Sequence, residues 1–170
     1  MDLLLPGMPP CLERWEKRGF SPGAEVGPGP TDRRADYVRV VGMEPPGGPQ
    51  LDGPHARVAR AILRYEVFPP RLVEPVIRRP VEAGDTVGAR HLLSLGFSLF
   101  FASRVIETFD EPEERRWRTG FKYRTLVGHP TLGEETFCVE KDMASGEVRV
   151  ALHTGLVPAC GSRDGHRRWP

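Results

Sequence analysis

From residue 84 onward, apolar and polar positions alternate in short runs, which is typical of strands with one buried and one exposed face. In the run WRTGFKYRTL, Phe121 and Tyr123 fall on one face, while Lys122 and Arg124 fall on the other. The runs lie at residues 84–93, 96–109, 117–126, 134–141 and 147–154. The links between them are too short for helices, so neighbouring strands are expected to be antiparallel.

The pattern also predicts a bent strand and two turns within this region. The run at 96–109 is rich in aromatic and β-branched residues and is long enough for a strand that bends. The segment DEPEERR at 110–116 is predicted to be a polar turn. The segment at 142–146 has hairpin length and ends in glycine, so it is expected to join two paired strands.

Helical spacing replaces alternation in residues 54–66, PHARVARAILRYE. Ile62 and Tyr65 share an apolar stripe with residues three and four positions away, and Pro54 suits a first helical turn. A shorter segment at 12–18 is expected to form one or two helical turns. A brief alternating run at 37–41, YVRVV, predicts a strand.

These elements predict an α+β fold in one domain covering residues 1–170. Ten of the 18 prolines lie in residues 1–54, so this part is expected to be largely irregular. Residues 54–154 are expected to form a helix and a curved antiparallel sheet of about five to seven strands packed on that one main helix. Residues 155–170 have no period and are expected to form an irregular tail.

Charge and targeting signals narrow the class of protein. Lys plus Arg total 24 and Asp plus Glu total 23, so net charge gives no reason to expect binding to nucleic acid or to a membrane surface. The N-terminus has a run of only three leucines, too short for a signal peptide or a spanning helix. The three cysteines are widely spaced and fit neither a disulfide framework nor a zinc pattern. We therefore expect a cytoplasmic protein.

The stretch TLVGHPTLGEETF at 125–137 holds the clearest candidate chemistry. His129 has an ordinary pKa near neutrality and could act as an acid or a base. Glu134 and Glu135 are adjacent, so on a strand they point to opposite faces and cannot form a paired-carboxylate site together. One of them could form a dyad with His129. In the alternative interpretation, glycines at 128 and 133 only let the chain turn, and the polar side chains are solvated.

Aromatic residues in the strand region allow a second kind of site. They either line a ligand cavity between a curved sheet and a helix or form an ordinary core. A cavity of this kind would suit a small apolar or aromatic molecule. Arg104, Tyr123 and Glu135 would orient that molecule if their side chains point inward. The sequence has no metal-ligand spacing, no GxSxG element and no phosphate loop, so we expect neither a metal nor a cofactor.

Four segments together resemble a known family of bacterial and plant proteins, the domain of unknown function nineteen-ninety. They are LERWEKRGFSPGAEVG (12–27), VRVVGMEPPGGP (38–49), ARAILRYEVFPPRLV (59–73) and the block at 120–153. The hallmark positions within the last block are Gly120, Phe121, Tyr123, Thr125, Leu126, Gly128, His129, Gly133, Glu134, Glu135, Phe137, Gly146 and Val148. The resemblance implies no established activity. The predicted strand order is compatible, by analogy only, with a helix-grip-like ligand-binding fold.

The C-terminal end departs from this family, whose members usually continue into a long basic amphipathic helix. Residues 155–170, GLVPACGSRDGHRRWP, have no helical period, so we expect the end to be truncated, frame-shifted or diverged. If that helix normally covers the sheet, this chain would expose apolar residues there and would either be a poorly soluble monomer or self-associate.

Three hypotheses about function remain open from the sequence. The first is a ligand-binding domain with an apolar cavity and with Tyr123, His129 and Glu135 as polar contacts. The second is an enzyme that uses His129 as acid or base, oriented by Glu134 or Glu135. The third is a non-catalytic interaction protein.

Overall fold

A curled antiparallel sheet dominates the computed structural model, which describes residues 1–23 and 35–159. Its strands are β1 (Asp2–Leu4), β2 (Ala35–Met43), β3 (Val73–Val76), β4 (Thr86–Leu92), β5 (Ser98–Glu113), β6 (Arg116–Thr125), β8 (Glu134–Asp142) and β9 (Glu147–Thr154). A separate two-stranded ladder joins β7 (Thr131–Leu132) to β10 (Val157–Pro158). The helices are α1 (Leu12–Glu16) and α2 (Pro54–Leu63), with a 3₁₀ turn at Ser94–Gly96.

The strand order β2-β9-β8-β6-β5-β4-β3 forms a half-barrel of seven strands, and β1 adds to β5. Five of these pairings join successive long strands from β3 to β9, and each of them is antiparallel. β2 instead pairs with β9, at the far end of the sequence. The predicted curved antiparallel sheet is therefore confirmed. Helices are few within the described residues, so the fold is mostly β.

The polar turn predicted at 110–116 is wrong. β5 continues to Glu113 and β6 begins at Arg116, so only two residues form the turn. Glu114 adopts a left-handed backbone with φ 52°, as a tight hairpin turn requires. The charged side chains remain on the strands because they pair across them, as Arg118 does with Glu113. β5 also carries a bulge between Val105 and Glu107.

The helix predicted over 54–66 ends earlier than expected, at Leu63. The apolar stripe continued to Tyr65, but Tyr65 has φ 59° and lies outside the helix. Two backbone hydrogen bonds close the end, from Tyr65 N to Ile62 O at 2.8 Å and from Glu66 N to Ala61 O at 2.9 Å. This pair of bonds is the Schellman pattern that terminates helices.

Apolar side chains fill both faces of the sheet. On the inner face, Ala59 and Ile62 of α2 join a core cluster with Phe121 and Val139 of the sheet. On the outer face of β4 and β5, a second cluster contains Trp15, which is fully buried, and the Phe100 ring. The predicted helical turns at 12–18 are confirmed as α1, and they form part of this second layer.

A buried ion pair ties the loop before α2 to the inner face of the sheet. Lys141 Nζ lies 2.9 Å from Glu44 Oε2, and neither side chain is exposed to solvent. Glu44 also accepts hydrogen bonds from the backbone N–H groups of Gln50 and His55, and Lys141 donates to the carbonyl of Gly48. The carboxylate thereby satisfies an N–H group in the first turn of α2, where Gly53 offers no side chain to do so.

No helix in the described parts of the chain combines the length and the apolar character needed to cross a membrane. The predicted tail at 155–170 lies mostly outside the described residues, which end at 159, and so does the expected departure from the family's C-terminal helix.

Candidate functional site

A cavity of about 210 Å³ lies against the inner face of the sheet and is partly open to solvent. β4, β5, β6 and β8 form its floor, and the segment after α2 and the loop at 129–131 form its sides. Its walls are mostly apolar. The lining residues are Tyr65, Phe68, Val87, Ala89, His91, Phe101, Ala102, Ser103, Tyr123, His129, Pro130, Thr131, Glu135 and Leu156.

A chain of hydrogen bonds runs along one wall of this cavity. The Tyr123 hydroxyl donates to Glu135 Oε2, and Tyr65 is hydrogen-bonded to Tyr123. Glu135 also interacts with the side chain of Thr154, which lies directly opposite on β9. Burial raises the pKa of Glu135, although the hydrogen bonds from Tyr123 and Thr154 act in the opposite direction. Burial likewise raises the pKa of Tyr123 well above its ordinary value.

His129 lies at the other side of the cavity and is only 7% exposed. Its Nδ1 lies 3.1 Å from the backbone nitrogen of Thr131 and 3.0 Å from the hydroxyl of the same residue. Burial lowers the pKa of His129 to about 4, and the Thr131 carbonyl only partly offsets this effect. The imidazole is therefore neutral at pH 7.

Two imidazoles and a phenyl ring form one side of the cavity. His91 stacks on Phe101 with 4.6 Å between ring centroids, and His129 meets the same ring edge-on at 4.7 Å. Burial lowers the pKa of His91, so this ring is also uncharged at pH 7. These ring contacts hold the orientation of both imidazoles.

The loop that carries His129 turns on two glycines. Gly128 has φ 93° and Gly133 has φ 131°, so both occupy backbone regions that other residues avoid. A side chain at residue 133 would also meet the carbonyl oxygen of Gly155 at 2.2 Å. The glycines do let the chain turn, but the alternative interpretation with solvated polar side chains is wrong for His129, which is buried.

Glu134 and Glu135 diverge, as strand alternation requires. Glu134 pairs with Arg124 at 2.6 Å and with Lys122 at 2.5 Å on the outer face. Glu135 faces the cavity together with Tyr123. His129 lines the same cavity, but within the described residues its hydrogen bonds run to Leu126 and Thr131 and not to either glutamate.

Arg104 is not among the residues that line the cavity. Its Nε donates to the Thr86 hydroxyl at 2.9 Å, and its terminal nitrogen donates to the carbonyl of Glu16 at 2.8 Å. Both partners lie towards the outer layer formed by α1. The side chain therefore links β4 and β5 to α1, and the structure does not bring it together with Tyr123, His129 and Glu135.

The sequence did not place His91, Thr131 or Tyr65 in the cavity. Ala89 and His91 alternate with outward-facing residues along β4. The alternation in the run at 84–93 could therefore have placed His91 on the inner face. Thr131 contacts His129 from two residues away, but no spacing rule marks it. Tyr65 was identified as a helical core residue. Its place in the cavity depends on where the helix ends, which the apolar stripe did not show.

Larger depressions on the outer face have a different character. Charged side chains alone line one of about 300 Å³, and they dominate another of about 270 Å³ beside Phe109. Many of these side chains already pair with one another, as Glu140 does with Arg118. Such grooves between paired surface charges suit water better than an organic ligand.

Three side chains of the kinds that bind metal ions also lie close together on the outer face. Cys138, Glu140 and His153 place one ligand atom each within 4.8 Å of one another. The pairing of β8 with β9 brings them together, so linear spacing could not reveal them. Glu140 is already paired with Arg149 at 2.7 Å, and burial raises the pKa of the Cys138 thiol to about 11. Both features oppose the binding of a cation.

Comparison with known proteins adds one finding. A family model described as Domain of unknown function (DUF1990) matches residues 24–160. No curated protein and no solved structure matches the chain. The match includes the loop with His129, the strand with Tyr123 and the strand with Glu135, all of which carried the resemblance in the sequence. The chain belongs to the family of the Domain of unknown function (DUF1990).

Proposed function

We propose that this chain is a small-ligand-binding domain whose site is the cavity above β4, β5, β6 and β8. One observation carries the proposal: a mostly apolar space of about 210 Å³ has its polar groups gathered along defined parts of its wall. This is the usual composition of a small-molecule site, whereas an ordinary core is packed by its own side chains.

Tyr123, Glu135 and His129 would supply the polar contacts in this site. Tyr123 and Glu135 are already hydrogen-bonded to each other, so a ligand would meet a rigid polar edge. His129 is held by Thr131 and packs on Phe101. Under this proposal α2 and the segment after it close one side of a curled sheet, in a helix-grip-like arrangement.

The acid–base alternative has weaker support. A catalytic base at neutral pH works best with a pKa near that pH, and His129 has a pKa of about 4. Its Nδ1 interacts with Thr131. Its contacts within the described residues include no carboxylate of the kind that would orient a catalytic histidine. These features favour a neutral hydrogen-bonding role for His129.

Calorimetric titration of the full chain with toluene and with phenol tests the proposal. Ala89 lines the cavity and is only 3% exposed, so Ala89→Leu should fill much of the space and abolish the binding of both probes. Ala144→Leu is the matched control, because Ala144 is exposed in the turn before β9. Absence of binding to the unmodified chain, or equal binding to a folded Ala89→Leu variant, would reject the proposal.

A further inference from the structure

The lining of the cavity carries no positive charge at neutral pH. Its ionisable residues are Tyr65, His91, Tyr123, His129 and Glu135, and it contains no lysine or arginine within the described residues. Both histidines are neutral because burial lowers their pKa values. The guanidinium of Arg104 lies outside the lining and is engaged by Thr86 and by the carbonyl of Glu16. A carboxylate or phosphate entering the cavity would lose its hydration without gaining a lysine or arginine partner from the lining.

The Tyr123 hydroxyl proton is committed to Glu135. Tyr123 has one hydroxyl proton and donates it to Glu135 Oε2. A carboxylate has about four acceptor positions, so its contacts with Tyr123 and Thr154 leave some of them unused. The polar edge therefore offers acceptors, and a ligand would have to bring a donor.

The size and shape of the cavity limit the ligand further. An apolar cavity of roughly 150 Å³ accommodates benzene, and this one measures about 210 Å³. Its walls include the rings of Tyr65, Phe68, Phe101 and Tyr123. Flat aromatic walls pack best against another ring, stacked or edge-on. The space therefore suits one ring with a small substituent.

A cationic amine fits this environment less well than a neutral donor. Glu135 is the single carboxyl of the lining, and its partners Tyr123 and Thr154 are neutral. The pKa of Glu135 is raised by burial, so its surroundings already disfavour charge. An ammonium group would have to lose its own hydration and also hold this carboxyl fully ionised.

We infer that the cavity selects uncharged single-ring molecules that carry a hydrogen-bond donor. The hydrogen-bonded residues Tyr65, Tyr123 and Glu135 would recognise that donor. This inference rests on the proposed function, because it names the ligand class of the same cavity. Glu135 would accept the donor, and the two tyrosines would hold Glu135 in place.

Titration calorimetry of the full chain at pH 7 with phenol, anisole, benzoate and benzylamine tests the inference. Phenol and anisole share a ring and an oxygen, but only phenol donates. One net hydrogen bond corresponds to about a fivefold to tenfold difference in affinity, so phenol should bind tighter than anisole by about that factor. Benzoate and protonated benzylamine should bind more weakly than phenol.

Glu135→Gln should weaken phenol binding severalfold and strengthen benzoate binding relative to the unmodified chain, because the Gln amide offers an N–H donor where Glu135 offers acceptors. Glu134→Gln is the matched control, since Glu134 is the adjacent carboxylate on the outer face, and it should change neither affinity. Circular dichroism melting would verify that both variants fold.

The outcomes separate the two claims. If no neutral probe binds the unmodified chain, the proposed function itself fails. If phenol and anisole bind equally, if benzoate or benzylamine binds as tightly as phenol, or if Glu135→Gln behaves like Glu134→Gln, the cavity binds ligands but the inferred ligand class is wrong.

Discussion

Tyr65 occupies a backbone position that glycine usually fills. It follows the last turn of α2 with φ 59°, and a residue with a side chain pays a steric cost of about 1–2 kcal/mol there. Its ring is 3% exposed, packs against Phe68, Phe121 and Phe137, and lines the cavity. The ring contacts outweigh the backbone cost, which is why a tyrosine can terminate this helix.

Replacing Tyr65 tests this balance between backbone and ring. Tyr65→Gly should relieve about 1 kcal/mol of backbone strain and lose about 3–5 kcal/mol of buried aromatic packing. We therefore expect the free energy of unfolding to fall by about 2–4 kcal/mol in urea titrations. Tyr65→Phe keeps the ring and should cost only about 1 kcal/mol, for the hydrogen bond to Tyr123. Equal losses in the two variants would contradict this account.

His129 should make stability depend on pH. Its pKa is about 4 in the folded chain against an ordinary value of 6.5, so the unfolded chain takes up the proton first. The stabilisation is complete above pH 6.5 and is lost as the pH falls from 6.5 towards 4. Between pH 7 and pH 5 the loss from this group should be about 2 kcal/mol.

The measurement is the free energy of unfolding at pH 7 and pH 5 for the unmodified chain and for His129→Asn, which cannot titrate. The difference between the two pH values should be smaller in the variant by about 2 kcal/mol. An unchanged difference would mean that His129 titrates normally and is not buried in a neutral form.

Among the elements, the loop before α2 depends on one buried ion pair. Burial alone would raise the pKa of Glu44, but hydrogen bonds from Lys141, His55 and Gln50 outweigh it and lower the pKa below its ordinary 4.5. Removing one member of such a pair leaves an unpaired charge, which costs about 3–5 kcal/mol. The ion pair therefore connects the start of α2 firmly to β8.

A double-mutant cycle tests this connection. Lys141→Met and Glu44→Gln should each lower the free energy of unfolding by about 3 kcal/mol or more, while the double variant should lose clearly less than their sum. Because the pKa of Glu44 is depressed, its contribution is present above pH 4.5 and is lost as the pH falls further. Glu44→Gln should lack this acid-dependent loss. Additive effects in the cycle would show that the two residues do not interact.

Alternation along the strands predicted the sheet well because burial on one face imposes a period of two. It also placed Glu134 and Glu135 on opposite faces, and that separation defines which of them can reach the cavity. Features that depend on packing between distant segments were not predictable. The outer layer around Trp15 arises from contact between α1 and β5, and the Tyr65 backbone turn arises from ring packing that overrides helix spacing.

At the scale of the whole molecule, the edge strand β2 exposes an apolar surface. Tyr37, Val38, Val40 and Met43 are each about half exposed or more, at 53%, 49%, 53% and 61%. Within the described residues β2 pairs only with β9, so its outer edge has unused backbone groups. The sequence led us to expect self-association through an open sheet face, whereas this surface lies on the edge strand β2. Self-association through either surface stays a prediction.

Analytical ultracentrifugation over a range of concentrations tests self-association. The unmodified chain should form dimers or larger species as concentration rises. Val38→Lys with Val40→Lys places two charges on the edge strand and should restore a monomer, since charges block pairing of strand edges. Val127→Lys is a control, because Val127 is also exposed but lies away from β2. A monomeric unmodified chain at all concentrations would contradict the prediction.

The central claim is that the cavity beside Tyr123, His129 and Glu135 binds a small ring. The most direct test is the ¹H–¹⁵N correlation spectrum of the full chain titrated with phenol, because it locates even weak binding. The account predicts saturable shifts at the amides of Ala89, Ser103, Tyr123, Thr131 and Glu135, with little change along β2. Shifts confined to β2 and the outer face, or no saturable shift at the cavity, would contradict it.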